Sequence, residues 1–248
     1  MIVAAAQAEA RAGDLVHNIA TAARLVRAAG EGGARVVVLP EAFLTGYDAS
    51  AFCGDVPTPI DLAGPLLDPL RSAAAAAGAT VVASTALRRD RGRTLASVVV
   101  EPDGTTTAPY DKQHLDGDEP TWFVRGEHPA TITVDGVVLA LSICRDGSVP
   151  KHAAIAAAAG ASAYLASVAY FPGGARRLDV TYAARALDHG MHVVVAGLTG
   201  RCGPHTFIGG SAVYGPDAEA LARLGDEEGL ALAEINRVRG AGHARGSR

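Results

Sequence analysis

Strand and helix signals alternate along nearly the whole chain, but tight turns twice set two strand-like runs back to back. Residues 2–7 read as a strand, and a helix follows from about Asp14 with Leu15, Ile19, Ala22, Leu25 and Val26 on one face. Residues 35–39 form an aliphatic run of the kind buried on both faces of a sheet. A loop rich in Pro, Asp and Gly then leads to a second helix over 65–77. Runs 80–87 and 94–101 read as strands, and Pro102-Asp103-Gly104 turns the chain into another. Asp135-Gly136 makes a hairpin of 130–134 and 137–143. The second half reads as helix 151–159, strand 162–167, helix 175–188, strands 192–196 and 211–214, and a hairpin over 220–235. Hairpins that interrupt a βα rhythm rule out a purely parallel doubly wound sheet, so the pattern predicts a layered α/β sandwich with mixed sheets. No repeat or linker divides the chain, which reads as one domain over 1–236 with a flexible basic tail over 237–248.

The bulk properties narrow the function classes. Of the 248 residues 49% are apolar, enough for a large core, and the net charge of −4 carries no long run of one sign. Nucleic acid is therefore not the expected partner. No stretch is long and apolar enough to span a bilayer, and the first residues read as a strand rather than a signal peptide. The three cysteines, Cys53, Cys144 and Cys202, are an odd set without ligand spacing. They predict neither a disulfide framework nor a zinc site, and point to a reducing, cytoplasmic setting. His189 and His192 have helical spacing but lack a third ligand, so no metal is expected.

The charged residues carry the chemistry. Only Lys112 and Lys151 among the 22 cationic residues are lysines. A lysine ammonium is a compact charge whose pKa moves on burial, which an arginine cannot imitate. Glu41 ends one buried-strand run and Cys144 ends another. Taken singly, each has a structural explanation: a helix-cap carboxylate, a surface cation, a small buried thiol. Together, a base, a cation and a thiol at strand ends suggest a covalent cysteine hydrolase, since the thiolate is the nucleophile and needs both partners.

Three signatures in order resemble the carbon–nitrogen hydrolase (nitrilase) superfamily over almost the whole chain. They are Val38-Leu39-Pro40-Glu41-Ala42-Phe43, then Tyr110-Asp111-Lys112-Gln113-His114-Leu115, then Ile143-Cys144-Arg145-Asp146. Ala184-Arg185-Ala186-Leu187-Asp188 and the segment 207–211 add to them. The resemblance implies a four-layer α-β-β-α sandwich of the nitrilase type. It implies Glu41 as general base, Lys112 as oxyanion stabiliser, Cys144 as nucleophile and Glu119 as a second glutamate that positions the substrate. The implied reaction passes through a thioester, needs no cofactor and acts on a small-molecule amide; a homodimer built through helices is implied as well.

Departures from the family pattern bear on specificity. Val149-Pro150-Lys151 stands where relatives often have Phe-Pro-Glu, so Lys151 is expected to find another partner. Arg145 either meets a substrate carboxylate or turns away to pair with Asp146 or another acid; the second is favoured by its place beside a strand-end nucleophile. His114, two residues from Lys112, is expected as support behind the site. Tyr47, Trp122, Arg145, Ala169 and Tyr170 are the candidate substrate-binding residues, and Arg176 or Arg177 can reach a carboxylate at the rim. Relatives that hydrolyse nitriles often place tryptophan before the nucleophile, where this chain has Ile143. A linear amide is therefore the favoured substrate, with N-carbamoyl compounds and nitriles as alternatives. A soluble acyl transferase and a non-catalytic binding protein on the same fold are the others.

Overall fold

Asp14 accepts a hydrogen bond from the His17 N–H at 3.0 Å, which starts helix α1 (Leu15–Glu31) between strands β1 (Ile2–Gln7) and β2 (Ala34–Val38). The computed structural model describes residues 1–238. Ile19, Ala22, Val26 and Ala29 of α1 are buried at the helical spacing read from the sequence. The segment expected as plain loop contains two single-turn helices, α2 (Ala49–Cys53) and α3 (Pro59–Ala63). Their caps explain them: Asp48 accepts from the Ser50 N–H, and Thr58 and Asp61 form a reciprocal capping box. A short 3₁₀ turn leads into α4 (Asp68–Ala77), which ends on Gly78 in the left-handed conformation. Strands β3 (Thr80–Arg89), β4 (Gly92–Val100) and β5 (Thr106–Asp111) complete this half.

The second half runs β6 (Thr131–Val134), β7 (Val137–Ile143), α5 (Pro150–Ala158), β8 (Ala163–Val168), α6 (Ala175–His189) and β9 (His192–Gly197). A small hairpin follows, β10 (Thr199–Cys202) with β11 (His205–Ile208), and then β12 (Ala212–Tyr214), β13 (Ala220–Arg223) and β14 (Gly229–Glu234). The two large sheets have the orders β14-β1-β2-β3-β4-β5 and β13-β12-β9-β8-β7-β6. Each has parallel strands at its centre and antiparallel strands at its edges. Val38, Val82, Leu141, Ile143, Leu165 and Val194 fill the space between the sheets. Helices α1 and α4 cover the outer face of the first sheet, and α5 and α6 that of the second. This is the expected four-layer α-β-β-α sandwich with mixed sheets.

One expectation is overturned. Residues 220–235 do not form a hairpin: β13 pairs with β12, whereas β14 crosses to the other sheet and pairs with β1. The buried Gln7 amide holds the crossing segment. Its Nε2 donates to the carbonyls of Gly225 and Glu227 at 2.9 and 2.7 Å, and its Oε1 accepts from the Ser211 N–H at 2.9 Å. Beyond β14, the Val238 N–H donates to Ser162 Oγ at 3.2 Å. Residues 239–248 of the tail expected to be flexible lie outside the described residues.

Candidate active site

Each candidate side chain follows the end of a strand. Glu41 comes three residues after β2, Lys112 directly after β5 and Cys144 directly after β7. Backbone bonds fix these ends: the Glu41 N–H donates to Val168 of the opposite sheet at 3.4 Å, and the Lys112 N–H to Leu95 at 2.8 Å. Ala42 and Cys144, neither of them glycine, have φ of +49° and +43°. Such left-handed backbone costs about 1–3 kcal/mol per residue and collects at functional sites.

Lys112 Nζ donates to Glu41 Oε1 at 2.7 Å and to Glu119 Oε1 at 2.6 Å, with all three side chains buried. Glu119 also accepts from Tyr47 Oη at 2.7 Å and, through Oε2, from the Asp116 N–H at 2.8 Å. Both oxygens of the Glu119 carboxylate are thus engaged, whereas Glu41 Oε2 has no hydrogen-bond partner among the described residues. Burial pushes the Glu41 pKa up to about 8; Glu119 adds to the rise, and Lys112 and the Cys144 thiol oppose it. Burial alone would lower the Lys112 pKa, but the charges of Glu41, Cys144 and Glu119 outweigh it, and the ammonium is held above its usual range. Burial and Glu41 together push the Cys144 thiol well above its usual value. A thiol that holds its proton, beside a carboxylate whose pKa is raised to about 8, has a proton acceptor at hand.

A cavity of about 310 Å³ opens onto this cluster, with Cys144 partly exposed in its wall. Tyr47, Trp122 and Ala169 line it, together with Glu119. Phe52 and Phe171 complete the aromatic wall; Asp48, Asp116, Asp118, Arg177 and His205 supply its polar groups. Tyr47 organises the wall, its ring lying edge-on to Phe52, Phe171 and Phe207 at 5.3, 6.2 and 5.8 Å.

Two expected residues lie elsewhere. Tyr170 is not part of the lining: Ala169 and Phe171 face the cavity, and the residue between them turns into the core under α5 and α6, with the Arg177 guanidinium 5.2 Å from its ring centroid. Arg145 is exposed and outside the lining, and it does not pair with Asp146, whose carboxylate is occupied by other donors. Lys151 is exposed in the first turn of α5. Phe171 and His205 were not anticipated. Their approach depends on the β10–β11 hairpin, which brings the His205 ring to 5.6 Å from Phe171, and no local pattern announces that packing.

The turn that carries Cys144 is braced from behind. The Cys144 carbonyl accepts from Tyr182 Oη at 2.9 Å, and Gly147 fits against the Tyr182 ring so closely that an added Cβ would lie 2.5 Å from it. His114 stands behind the site as expected, donating its backbone N–H to Asp146 Oδ1 at 2.9 Å, with Nδ1 at the same distance. Among the described residues no group of His, Cys, Asp and Glu side chains is arranged to hold a metal ion, and no helix is long and apolar enough to cross a membrane.

Comparison with known proteins gives the family and the fold. The sequence model of the carbon–nitrogen hydrolase family matches residues 2–242. The fold is similar to that of the amidase from Nesterenkonia sp. AN1, with a TM-score of 0.87 and 30% identity over 95% of this chain and 93% of that one. That amidase was solved as a glutamate-to-glutamine variant with acrylamide added at its active-site cysteine. A hydrolase of Mycobacterium tuberculosis (strain H37Rv) is 30% identical over an alignment that covers 93% of this chain and 88% of the relative. A 2-oxoglutaramate amidase of Bacillus subtilis (strain 168) is 29% identical over 211 residues, 82% of this chain and 78% of the relative.

Proposed function

The chain belongs to the carbon–nitrogen hydrolase family, and from that premise we propose that it hydrolyses small linear amides through a thioester on Cys144. One observation carries the reading: a partly exposed thiol in a cavity wall, set against the buried Glu41–Lys112–Glu119 cluster. Cys144 Sγ attacks the amide carbon and its proton passes to Glu41. The Lys112 ammonium and the Arg145 N–H hold the oxyanion. Collapse breaks the C–N bond, and ammonia or an amine leaves with the proton from Glu41. Water then attacks the thioester, giving a proton to Glu41; the C–S bond breaks, and the proton returns to sulfur. Glu119 holds Lys112 and Tyr47 in place, and Tyr47, Trp122 and Ala169 shape the cavity around the acyl group.

Arg177 favours a narrower reading, an amide that also carries a carboxylate. It is the arginine in the cavity lining, at the start of α6, and a guanidinium forks well onto a carboxylate. The similarity to a 2-oxoglutaramate amidase supports this. Arg176 is exposed and outside the lining.

A homodimer through the outer helices of the second sheet is the proposed assembly. Ile155 on α5 and Val180 and Leu187 on α6 are 38%, 55% and 61% exposed, leaving these helices an apolar outer face. Cys53, Cys144 and Cys202 are all free thiols, in keeping with a reducing, cytoplasmic setting.

The test is ammonia release from a panel of butyramide, monoamides of dicarboxylic acids, N-carbamoyl amino acids and nitriles. Release from the amides, and faster from those with a carboxylate, is expected. Turnover confined to nitriles or to carbamoyl compounds would overturn the amidase reading.

A further inference from the structure

Asp146 is wholly buried two residues after Cys144, and its two oxygens receive donors from both halves of the site. Oδ2 accepts from the Ile143 N–H at 3.0 Å and from Tyr110 Oη at 2.5 Å. Oδ1 accepts from the His114 N–H at 2.9 Å, with His114 Nδ1 also at 2.9 Å. Tyr110 and His114 lie two residues either side of Lys112; Ile143 and Asp146 enclose Cys144. One carboxylate thus ties the end of β5, in the first sheet, to the turn after β7, in the second.

A chain of polar side chains stands behind it. Tyr110 has a single hydroxyl proton, which it gives to Asp146. His152 Nε2, 2.9 Å from the same hydroxyl, must therefore carry the proton it shares with Tyr110. His152 Nδ1 lies 2.7 Å from Tyr164 Oη and accepts from that hydroxyl in the neutral ring, the form that burial favours. Burial lowers the His152 pKa, in agreement. Burial works to raise the Asp146 pKa, but donation from His114, the positive charge His152 takes on once protonated in acid, and donation from Tyr110 and Ile143 hold it below the usual range. The chain of donors from Tyr164 through His152 and Tyr110 ends on a carboxylate that stays ionised.

We propose that Asp146 is a positioning residue that sets the distance between the Lys112 ammonium and the Cys144 thiol and holds Cys144 in its left-handed conformation. It is outside the cavity lining and acts only through the two groups it locates. The proposal rests on the reading of Cys144 as nucleophile and Lys112 as oxyanion donor.

Asp146→Asn tests it. The variant keeps the shape, but its NH₂ must face two donors, so one side of the bolt opens. A loss of about a hundredfold in kcat with KM changed less than about threefold is expected, the scale of a misplaced reacting group. His114→Ala removes one donor from a partly exposed position and decides the matter if Asp146→Asn does not fold; about tenfold in kcat is expected. The double variant should lose no more than Asp146→Asn alone, because the two act as one unit. The pH profile of Cys144 alkylation by iodoacetamide should also shift in both variants, which a purely structural residue would not cause. Folded variants with kcat within about threefold of wild type, or a change confined to KM, would overturn the proposal. Cys144→Ala separates the two levels. If it remains active, the underlying reading fails; if it is inert while Asp146→Asn and His114→Ala keep full kcat, only the positioning role fails.

Discussion

The Lys112 ammonium donates to Glu41 Oε1 across 2.7 Å in a setting where neither side chain reaches solvent. Removing one partner of a buried pair leaves an uncompensated charge, at a cost of about 3–5 kcal/mol. The second glutamate makes this arrangement more than an ion pair. One ammonium faces two carboxylates, so with both ionised the cluster carries a surplus negative charge that a thiol proton can neutralise.

Lys112→Arg is predicted to lose about a hundredfold or more in kcat/KM although it conserves charge. A planar fork cannot reproduce a point charge that donates to Glu41 and Glu119 and keeps a further donor for the oxyanion. Steady-state ammonia release measures it. Activity within a few-fold of wild type would show that charge alone suffices.

Glu119→Gln is predicted to move the acidic limb of the kcat/KM profile to lower pH, whatever its effect on amplitude. Burial is the main reason the Glu41 pKa rises to about 8, and the Glu119 charge adds to that rise. Removing the charge lets Glu41 ionise at lower pH, so the base form appears earlier as pH increases. The limb belongs to the coupled cluster rather than to Glu41 alone. A limb that stays in place or moves upward would contradict this assignment.

Gly147→Ala is predicted to destabilise the fold by about 1–3 kcal/mol through overpacking. The new methyl group would lie 2.5 Å from the Tyr182 ring, whose hydroxyl holds the Cys144 carbonyl. Displacing that ring should lower kcat as well as the melting temperature. Tyr182→Phe, which loses only the hydrogen bond, should change both by less.

Arg177→Ala is predicted to raise KM for carboxylate-bearing amides by about tenfold or more, the value of a charge-assisted hydrogen bond of about 1.5–3 kcal/mol. Butyramide, which has no carboxylate, should be unaffected. The ratio of kcat/KM for succinamate and butyramide in the two proteins measures it. An unchanged ratio would remove Arg177 from substrate recognition.

The layers and the ends of the central strands were legible in the sequence because aliphatic runs and tight turns are local signals. Residues 35–39 and 137–143 could be read as buried strands, which placed Glu41 and Cys144 at their ends. The fate of 220–235 was not legible. β13 and β14 have the pattern of a hairpin but join different sheets, and the segment between them is held by groups distant in sequence, Gln7, Thr199 and Gly210. The role of Asp146 was hidden for the same reason. Its neighbour Arg145 looked like its natural partner, but the donors it uses come from Tyr110 and His114, on a strand end of the other sheet. Tyr170 was misplaced by one position, because Ala169 and Phe171 take the side facing the cavity.

The central claim is that Cys144 carries the acyl group, and ammonia release by Cys144→Ala tests it most directly. With butyramide or succinamate, the folded variant should release none. Wild type quenched during turnover should carry the acyl mass on the peptide containing Cys144 and on neither Cys53 nor Cys202. Ammonia release by Cys144→Ala at the wild-type rate would contradict the account.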